Sequence, residues 1–344
     1  MLDDLKAIHD RDAQDALGIV GKQAEQLGYS FEGVTQQPVE VSNVVYGGMG
    51  GSALAALLFE TWPKLTKPFA VVRDYDIPTY VGPETLFIAA SYSGNTEETL
   101  SAIAQAEAQG AHIAVIAGGG KLADLARAKN YPLVLLPKAE QPRYAVLYNF
   151  KALLTLLEQA GLLAASDVDA ELSATASFLA ESANAWAVEV PTASNPAKQL
   201  AQELMGKSIV VYGGPKMYPA AYKWKISFNE NAKHIAWVNQ YPEFNHNEFI
   251  GWSEQPVDKP YAVIDLRSNL EHERVQKRFI VSERLLSGKR PQPYVVEAKG
   301  ETVFQQLLWT IAYGDFVSIY LALLNGINPA PVVLVENFKK EMDK

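Results

Sequence analysis

Apolar residues fall into short runs along this chain, and most of the runs end in glycines or small polar residues. Residues 43–46 (NVVY) form one run and close on GGMGGS. Residues 85–90 (TLFIAA) form another and close on SYSGNTEET, and AHIAVIAGGG and YPLVLLP follow. Such runs, bounded by turn residues, read as strands buried on both faces. PFAVVRDYD reads as a further strand, ending in acidic residues. Between the runs the pattern becomes helical, over residues 53–62, over ETLSAIAQAEAQG and over LADLARAKN. Strands alternating with helices predict a parallel sheet covered on both faces. Leu2, Leu5, Ile8, Leu17 and Val20 predict a leading helix over the first thirty residues, and residues 142–186 are alanine-rich and helical in pattern.

The pattern then restarts. VPTASNPAKQ, with its two prolines, reads as a linker. Residues 208–212 predict a strand running into VVYGGPKM, where the first strand runs into VVYGGMGG. The shared Val-Val-Tyr-Gly-Gly suggests an internal repeat of one α/β unit. A helix over 216–233, a strand over 261–266, a helix over 272–286, a strand over 293–296 and two closing helices complete the second half.

Composition narrows the classes of function. With 344 residues the chain has room for two domains. Its 48% hydrophobic and 20% charged residues are those of an ordinary globular protein. The formal net charge is −9 and no basic block stands out, so a nucleic-acid partner is not expected. A small phosphate remains possible, because it needs only a local site. The absence of cysteine excludes disulfides, thiolate metal sites and cysteine nucleophiles. The first residues, MLDDLKAIHDRD, lack an apolar signal core, and no apolar run is expected to reach the roughly 18 residues of a membrane span. The expectation is a cytoplasmic protein with no membrane partner.

Two turns carry candidate chemistry. Gly48-Met49-Gly50-Gly51-Ser52-Ala53 satisfies G-x-G-x-x-A between a strand and a helix, with Asp74 at the end of the next strand. That is the dinucleotide fingerprint with its ribose acid. Against it stand the extra glycines, Gly47 and Gly51, which favour close approach of a ligand to the backbone over a plain tight turn. The second turn, SYSGNTEET, crowds the hydroxyls of Ser91, Ser93 and Thr96 around a glycine at a helix start. A capping box of Asn95 and Glu98 would leave those hydroxyls unexplained. They can each donate to one phosphate oxygen, with the free N–H groups and dipole of the helix start adding to the attraction. Gly50, Gly51 and Ser52 are expected alongside them.

The strand, the S-x-S-G-x-T turn and its helix, with the upstream G-M-G-G-S loop, resemble the sugar isomerase (SIS) domain. Over about residues 43–340 the chain is most similar to the bifunctional phosphoglucose/phosphomannose isomerase family. The resemblance implies an α/β fold of two SIS-type doubly wound domains, each a mostly parallel sheet flanked by helices. They are expected at residues 1–186, with the leading helix, and at 187–344, with the C-terminal helices. It implies interconversion of glucose 6-phosphate, and of mannose 6-phosphate, with fructose 6-phosphate through a cis-enediol. Asn229-Glu230-Asn231-Ala232-Lys233 matches the family's N-E-x-x-K, which makes Glu230 the proton-transfer base. NHNE places His246 as the ring-opening histidine, and QPRYA places Arg143 as the cation beside the enediolate. A lysine in the final helix completes the set: Lys339 is preferred over Lys340. Ala330 stands where related sequences often carry threonine, so room for mannose 6-phosphate is kept but a hydroxyl is lost. A homodimer is implied, with His246 reaching the neighbour's site.

Taken singly, these residues have plainer readings. Glu230 alone would be a solvated helix residue, His246 a loop residue, and Lys339 a helix end favouring the dipole. His9, His112, His234 and His272 are expected to be structural. No metal is expected, because NHNE lacks a second histidine at ligand spacing, and no cofactor is expected. The competing readings are a non-catalytic sugar-phosphate-binding SIS protein and an NAD-dependent oxidoreductase using the glycine loop.

Overall fold

The computed structural model describes residues 1–62, 65–164, 168–254 and 260–342. They form two compact units: Lys22–Ser177, and Met1–Gly21 together with Phe178–Lys344. The leading segment is not one helix. It is α1 (Leu5–Arg11) and α2 (Ala16–Gly21), followed by a 3-10 turn at Gln23–Gly28. Asp12 causes the break, because its carboxylate accepts from the N–H groups of Ala16 (2.8 Å) and Leu17 (2.9 Å) and starts a new helix. Both short helices pack in the later unit, which differs from the expected boundary at residue 186. Asp3 accepts from the N–H (2.7 Å) and hydroxyl (2.8 Å) of Thr192, and Arg11 donates to the Leu323 carbonyl at 2.9 Å.

The unit Lys22–Ser177 is built on β1 (Asn43–Gly48), β2 (Phe69–Val72), β3 (Thr85–Ser91), β4 (His112–Ala117) and β5 (Leu133–Leu135). All pair in parallel, in the order β2-β1-β3-β4-β5. The central strand β3 is buried along its whole length, as its unbroken apolar run requires. Connecting helices are α3 (Gly50–Thr61), α4 (Glu97–Ala108), α5 (Gly120–Lys129) and α6 (Val146–Gln159); α7 (Asp169–Asn184) runs across the boundary. Val45, Phe87, Ala89 and Val115 meet Ile103, Ala106 and Ala123 in one apolar layer.

The later unit repeats the plan with one strand fewer. The expected linker contains a helix, α8 (Pro196–Leu204). Asn195 caps it by accepting from the N–H groups of Ala197 and Lys198, and Pro196 takes the first-turn position that proline tolerates. Strands β6 (Ser208–Gly213), β7 (Ala236–Gln240), β8 (Tyr261–Arg267) and β9 (Tyr294–Glu297) pair in parallel, in the order β7-β6-β8-β9. That is the order of the first sheet without its fifth strand, so the repeated Val-Val-Tyr-Gly-Gly marks equivalent strands, β1 and β6.

Helices α9 (Tyr218–Glu230), α10 (Glu248–Gly251), α11 (Glu273–Leu285), α12 (Val303–Leu324) and α13 (Val333–Met342) complete the unit. By length and composition α12 could cross a membrane, although Gln306 and Asp315 interrupt its apolar sequence. It is a core helix: 89% of its most apolar window is buried.

Candidate active site

The hydroxyl turn follows β3 directly. Ser91 is buried, Thr96 half-buried and Ser93 exposed. The Ser91 and Thr96 hydroxyls lie 2.7 Å apart, and those of Ser91 and Ser93 3.4 Å apart. Ser91 Oγ also accepts from the Gly94 N–H at 3.1 Å, which closes the turn. Thr96 is the N-cap residue of α4 but its side chain makes no capping bond. Asn95, read above as half of a capping box, instead accepts from the Lys121 N–H in the first turn of α5 at 3.1 Å. The structure therefore leaves the hydroxyls clustered at a helix start rather than spent on the helix.

The glycine loop has a different explanation from the one expected. A Cβ on Gly48 would stand 2.9 Å from the Ala90 carbonyl, and one on Gly47 would stand 2.8 Å from the Phe87 ring. A Cβ on Gly51 would stand 3.2 Å from the Pro142 carbonyl. Close approach by the protein's own backbone and core thus accounts for these glycines. Gly50 alone combines a positive φ (51°) with open space in front of it. Ser52 ties the loop to the hydroxyl turn, its Oγ accepting from the Tyr92 N–H at 3.2 Å. The strand order is the flavodoxin-like 2-1-3-4-5, not the 3-2-1-4-5-6 of dinucleotide folds, and the Asp74 carboxylate accepts from the adjacent Tyr75 N–H.

Arg143 sits in the 3-10 turn Pro142–Tyr144 that passes against Gly51. The structure thereby brings Arg143, Gly50, Gly51, Ser52 and the three hydroxyl residues into one region of the unit Lys22–Ser177. Arg143 is buried at 2% exposure, its guanidinium 4.7 Å from the Tyr144 ring centre.

Glu230 is the last residue of α9 and is half-buried. Its helix is locked to α12 by a buried polar group: Lys223 Nζ donates to Asp315 and, at 2.7 Å, to Ser227 Oγ. One turn on, Asn231 Nδ2 donates to Ser318 Oγ at 2.9 Å. Lys233, the last residue of the N-E-x-x-K match, takes a positive φ (48°). Its ammonium donates to the carbonyls of Asn328 (2.9 Å) and Pro329 (3.0 Å). Lys233 therefore staples the segment after Glu230 to the loop holding the buried Ala330. Beyond that loop, α13 carries Lys339 and Lys340 exposed in its last turn, with no buried residue along the helix.

His246 ends the 3-10 turn Glu243–His246 and is exposed, while its neighbours are anchored. Asn245 Nδ2 donates to Ser282 Oγ at 2.8 Å. Glu248 accepts from Tyr212 Oη and, at 2.7 Å, from Asn239 Nδ2. Phe244 packs under the turn, with the buried Arg290 guanidinium 5.7 Å from its ring centre and 5.6 Å from that of Tyr212. Burial pushes the nearby Asp265 carboxyl above its ordinary range, against the pull of Arg290. Among the described residues no group of three His, Asp or Glu side chains is placed to hold a metal.

Comparison with known proteins now separates the readings. Residues 39–163 match the SIS domain, and residues 193–342 match the bacterial phospho-glucose isomerase C-terminal SIS domain. A bifunctional phosphoglucose/phosphomannose isomerase from Caldicellulosiruptor bescii is 34% identical, over 93% of this chain and 95% of the relative. The chain belongs to the bifunctional phosphoglucose/phosphomannose isomerase family. A second member, from Aquifex aeolicus, is 30% identical over 92% of this chain and 95% of its own. A crystal structure of a glucose-6-phosphate isomerase-like protein from Thermus thermophilus shares the fold, with a TM-score of 0.68 at 20% identity, covering 98% of each chain.

The sequence named Lys233 only as part of the N-E-x-x-K match, and it did not single out Arg290 or Glu271. In this family member Glu271, only 6% exposed, accepts from the N–H groups of Lys216 (2.7 Å) and Met217 (3.3 Å) just ahead of α9. Burial pushes its carboxyl up, against the pull of those two donors. No local signal marks it, because its partners lie more than fifty residues away in sequence.

Proposed function

We propose that the chain interconverts glucose 6-phosphate, and also mannose 6-phosphate, with fructose 6-phosphate. The observation that carries this reading is the match over more than nine-tenths of the chain to relatives named for both sugars. The residue types that the reaction needs are present. Ser91, Ser93 and Thr96, with Ser52 and the backbone of Gly50 and Gly51, hold the phosphate by charge-assisted hydrogen bonds. His246 and Lys339 open the cyclic sugar: one takes the proton of the C1 hydroxyl while the other gives a proton to the ring oxygen as the C1–O bond breaks.

Glu230 then takes the C2 proton of the open aldose. The electron pair of that C–H bond forms the C1–C2 double bond, and Arg143 steadies the charge on the enediolate oxygen. Glu230 returns the proton to C1, and the hydroxyl proton of O2 passes to O1 as C2 becomes the ketone. C1 is reduced as C2 is oxidised, so the step balances within the sugar and calls for no external electron acceptor. The small Ala330 keeps space for the rotation about C2–C3 that admits the mannose epimer. The family resemblance further supports a homodimer in which His246 serves the partner's site.

The test is Glu230→Gln, which keeps the shape and removes the basic oxygen. Turnover in a coupled assay with fructose 6-phosphate should fall by about two to four orders of magnitude, with little change in substrate affinity. If the variant still exchanges the C2 proton of glucose 6-phosphate with deuterated water at the parent rate, Glu230 is not the base.

A further inference from the structure

The two sheets can be superposed by their strand registers alone. Gly47 of β1 pairs with Ala89 of β3, and Gly213 of β6 pairs with Leu266 of β8. Since Gly47 and Gly213 hold the same place in the repeated Val-Val-Tyr-Gly-Gly, Ala89 and Leu266 are equivalent. Two residues further on, Ser91 and Ser268 are equivalent as well. Ser91 is the last residue of β3 and Ser268 the first after β8, and both accept from a backbone N–H of their own turn: Gly94 for Ser91 (3.1 Å) and Leu270 for Ser268 (3.0 Å). The later unit therefore keeps the scaffold of the hydroxyl turn.

It fills that scaffold differently. Ser268 Oγ is spent on Gln306 Oε1 of α12 at 2.5 Å. In place of further hydroxyls comes Glu271, whose Oε1 takes the N–H groups of Lys216 and Met217 at the β6–α9 turn. A Cβ on Gly214 would collide with this carboxylate, so the glycine is what lets it reach the backbone. Lys216 closes over the same spot, its ammonium donating to the Leu270 carbonyl at 2.5 Å.

We propose that Glu271 is a resident anion that fills, in the later unit, the place equivalent to the phosphate site of the first. The later unit is thereby closed to phosphate, and each chain takes a single sugar phosphate. The carboxylate also caps the start of α9. This inference rests on the phosphate reading of Ser91, Ser93 and Thr96.

The experiment counts inorganic phosphate bound per chain by calorimetry in the parent, in Glu271→Gly and in Glu271→Gln. Removing the side chain exposes two N–H groups and the Lys216 ammonium, so Glu271→Gly should bind one phosphate more than the parent. Glu271→Gln refills the space with a neutral group and should stay at the parent count. A parent that binds none while Glu271→Gly binds one would sink the reading of the hydroxyl turn and support the closed second site. A Glu271→Gly chain that binds no more than the parent overturns the inference. Should that variant fold poorly in plain buffer, phosphate should restore its unfolding transition, and failure to restore it counts equally against the proposal.

Discussion

Gly94 sets the geometry of the hydroxyl turn, and its requirement is twofold. Its φ is +69°, and a Cβ would collide with the Gly119 carbonyl of the neighbouring turn. The two turns lie back to back, with the Gly118 N–H on the Tyr92 carbonyl (3.0 Å) and the Leu122 N–H on the Gly94 carbonyl (2.9 Å). Gly94→Ala should therefore cost at least about 1–3 kcal/mol and weaken sugar-phosphate binding together with stability. Thermal unfolding and the Michaelis constant for fructose 6-phosphate check it; a variant that matches the parent in both would refute this account of the turn. The same residues show what local sequence can reveal. Ser91, Ser93 and Thr96 stood out because they are neighbours in the chain. Glu271 and Arg290 did not, because their meaning comes from partners brought in by the fold. Glu230 and His246 could be singled out only through family resemblance, since a lone helical Glu and a loop His carry no local signal of chemistry.

Helix α9 illustrates how an element carries a functional residue. Lys223 and Asp315 are 1% and 2% exposed, and they join α9 to α12 together with Ser227. Asp315→Ala should destabilise the chain by about 3–5 kcal/mol, because it strands a buried ammonium. Lys223→Met combined with Asp315→Leu should recover most of that loss, as read from the denaturant midpoint. A second ion pair gives a pH signature. Arg267, donating at 2.7 Å, holds the Glu283 carboxyl below its ordinary value. A depressed carboxylate contributes stability above its unfolded pKa, roughly 4.3, and loses it as pH falls through the folded value. Glu283→Gln should therefore lower stability across the neutral region and flatten the acid limb, so that variant and parent converge at low pH. Elements with unbroken apolar runs, such as β3 and β4, were legible from sequence because burial on both faces imposes such runs. The edge strand β7 was missed, since AWVNQ mixes polar residues with a Trp237 that is 47% exposed. Helix α8 was hidden by Pro196, which its first turn tolerates, and the leading helix was overdrawn because Asp12 acts as a cap within the apolar spacing.

For the whole molecule the sharpest question is assembly. If His246 serves a partner's site, mixing inactive Glu230→Gln chains with inactive His246→Ala chains should restore part of the activity, because some hybrids pair two intact contributions. Absence of recovery in hybrids demonstrated by mass would place His246 in its own chain's site. A separate consequence follows from the division of the chain, in which Met1–Gly21 joins Phe178–Lys344 while Lys22–Ser177 stands as its own unit. As the chain leaves the ribosome, residues 22–177 are complete before the partners of the opening helices exist, and long before Leu323. The middle of the protein can therefore fold first, while the opening helices wait for Thr192 and Leu323 to be synthesised. The first residues made are thus among the last to be put in place.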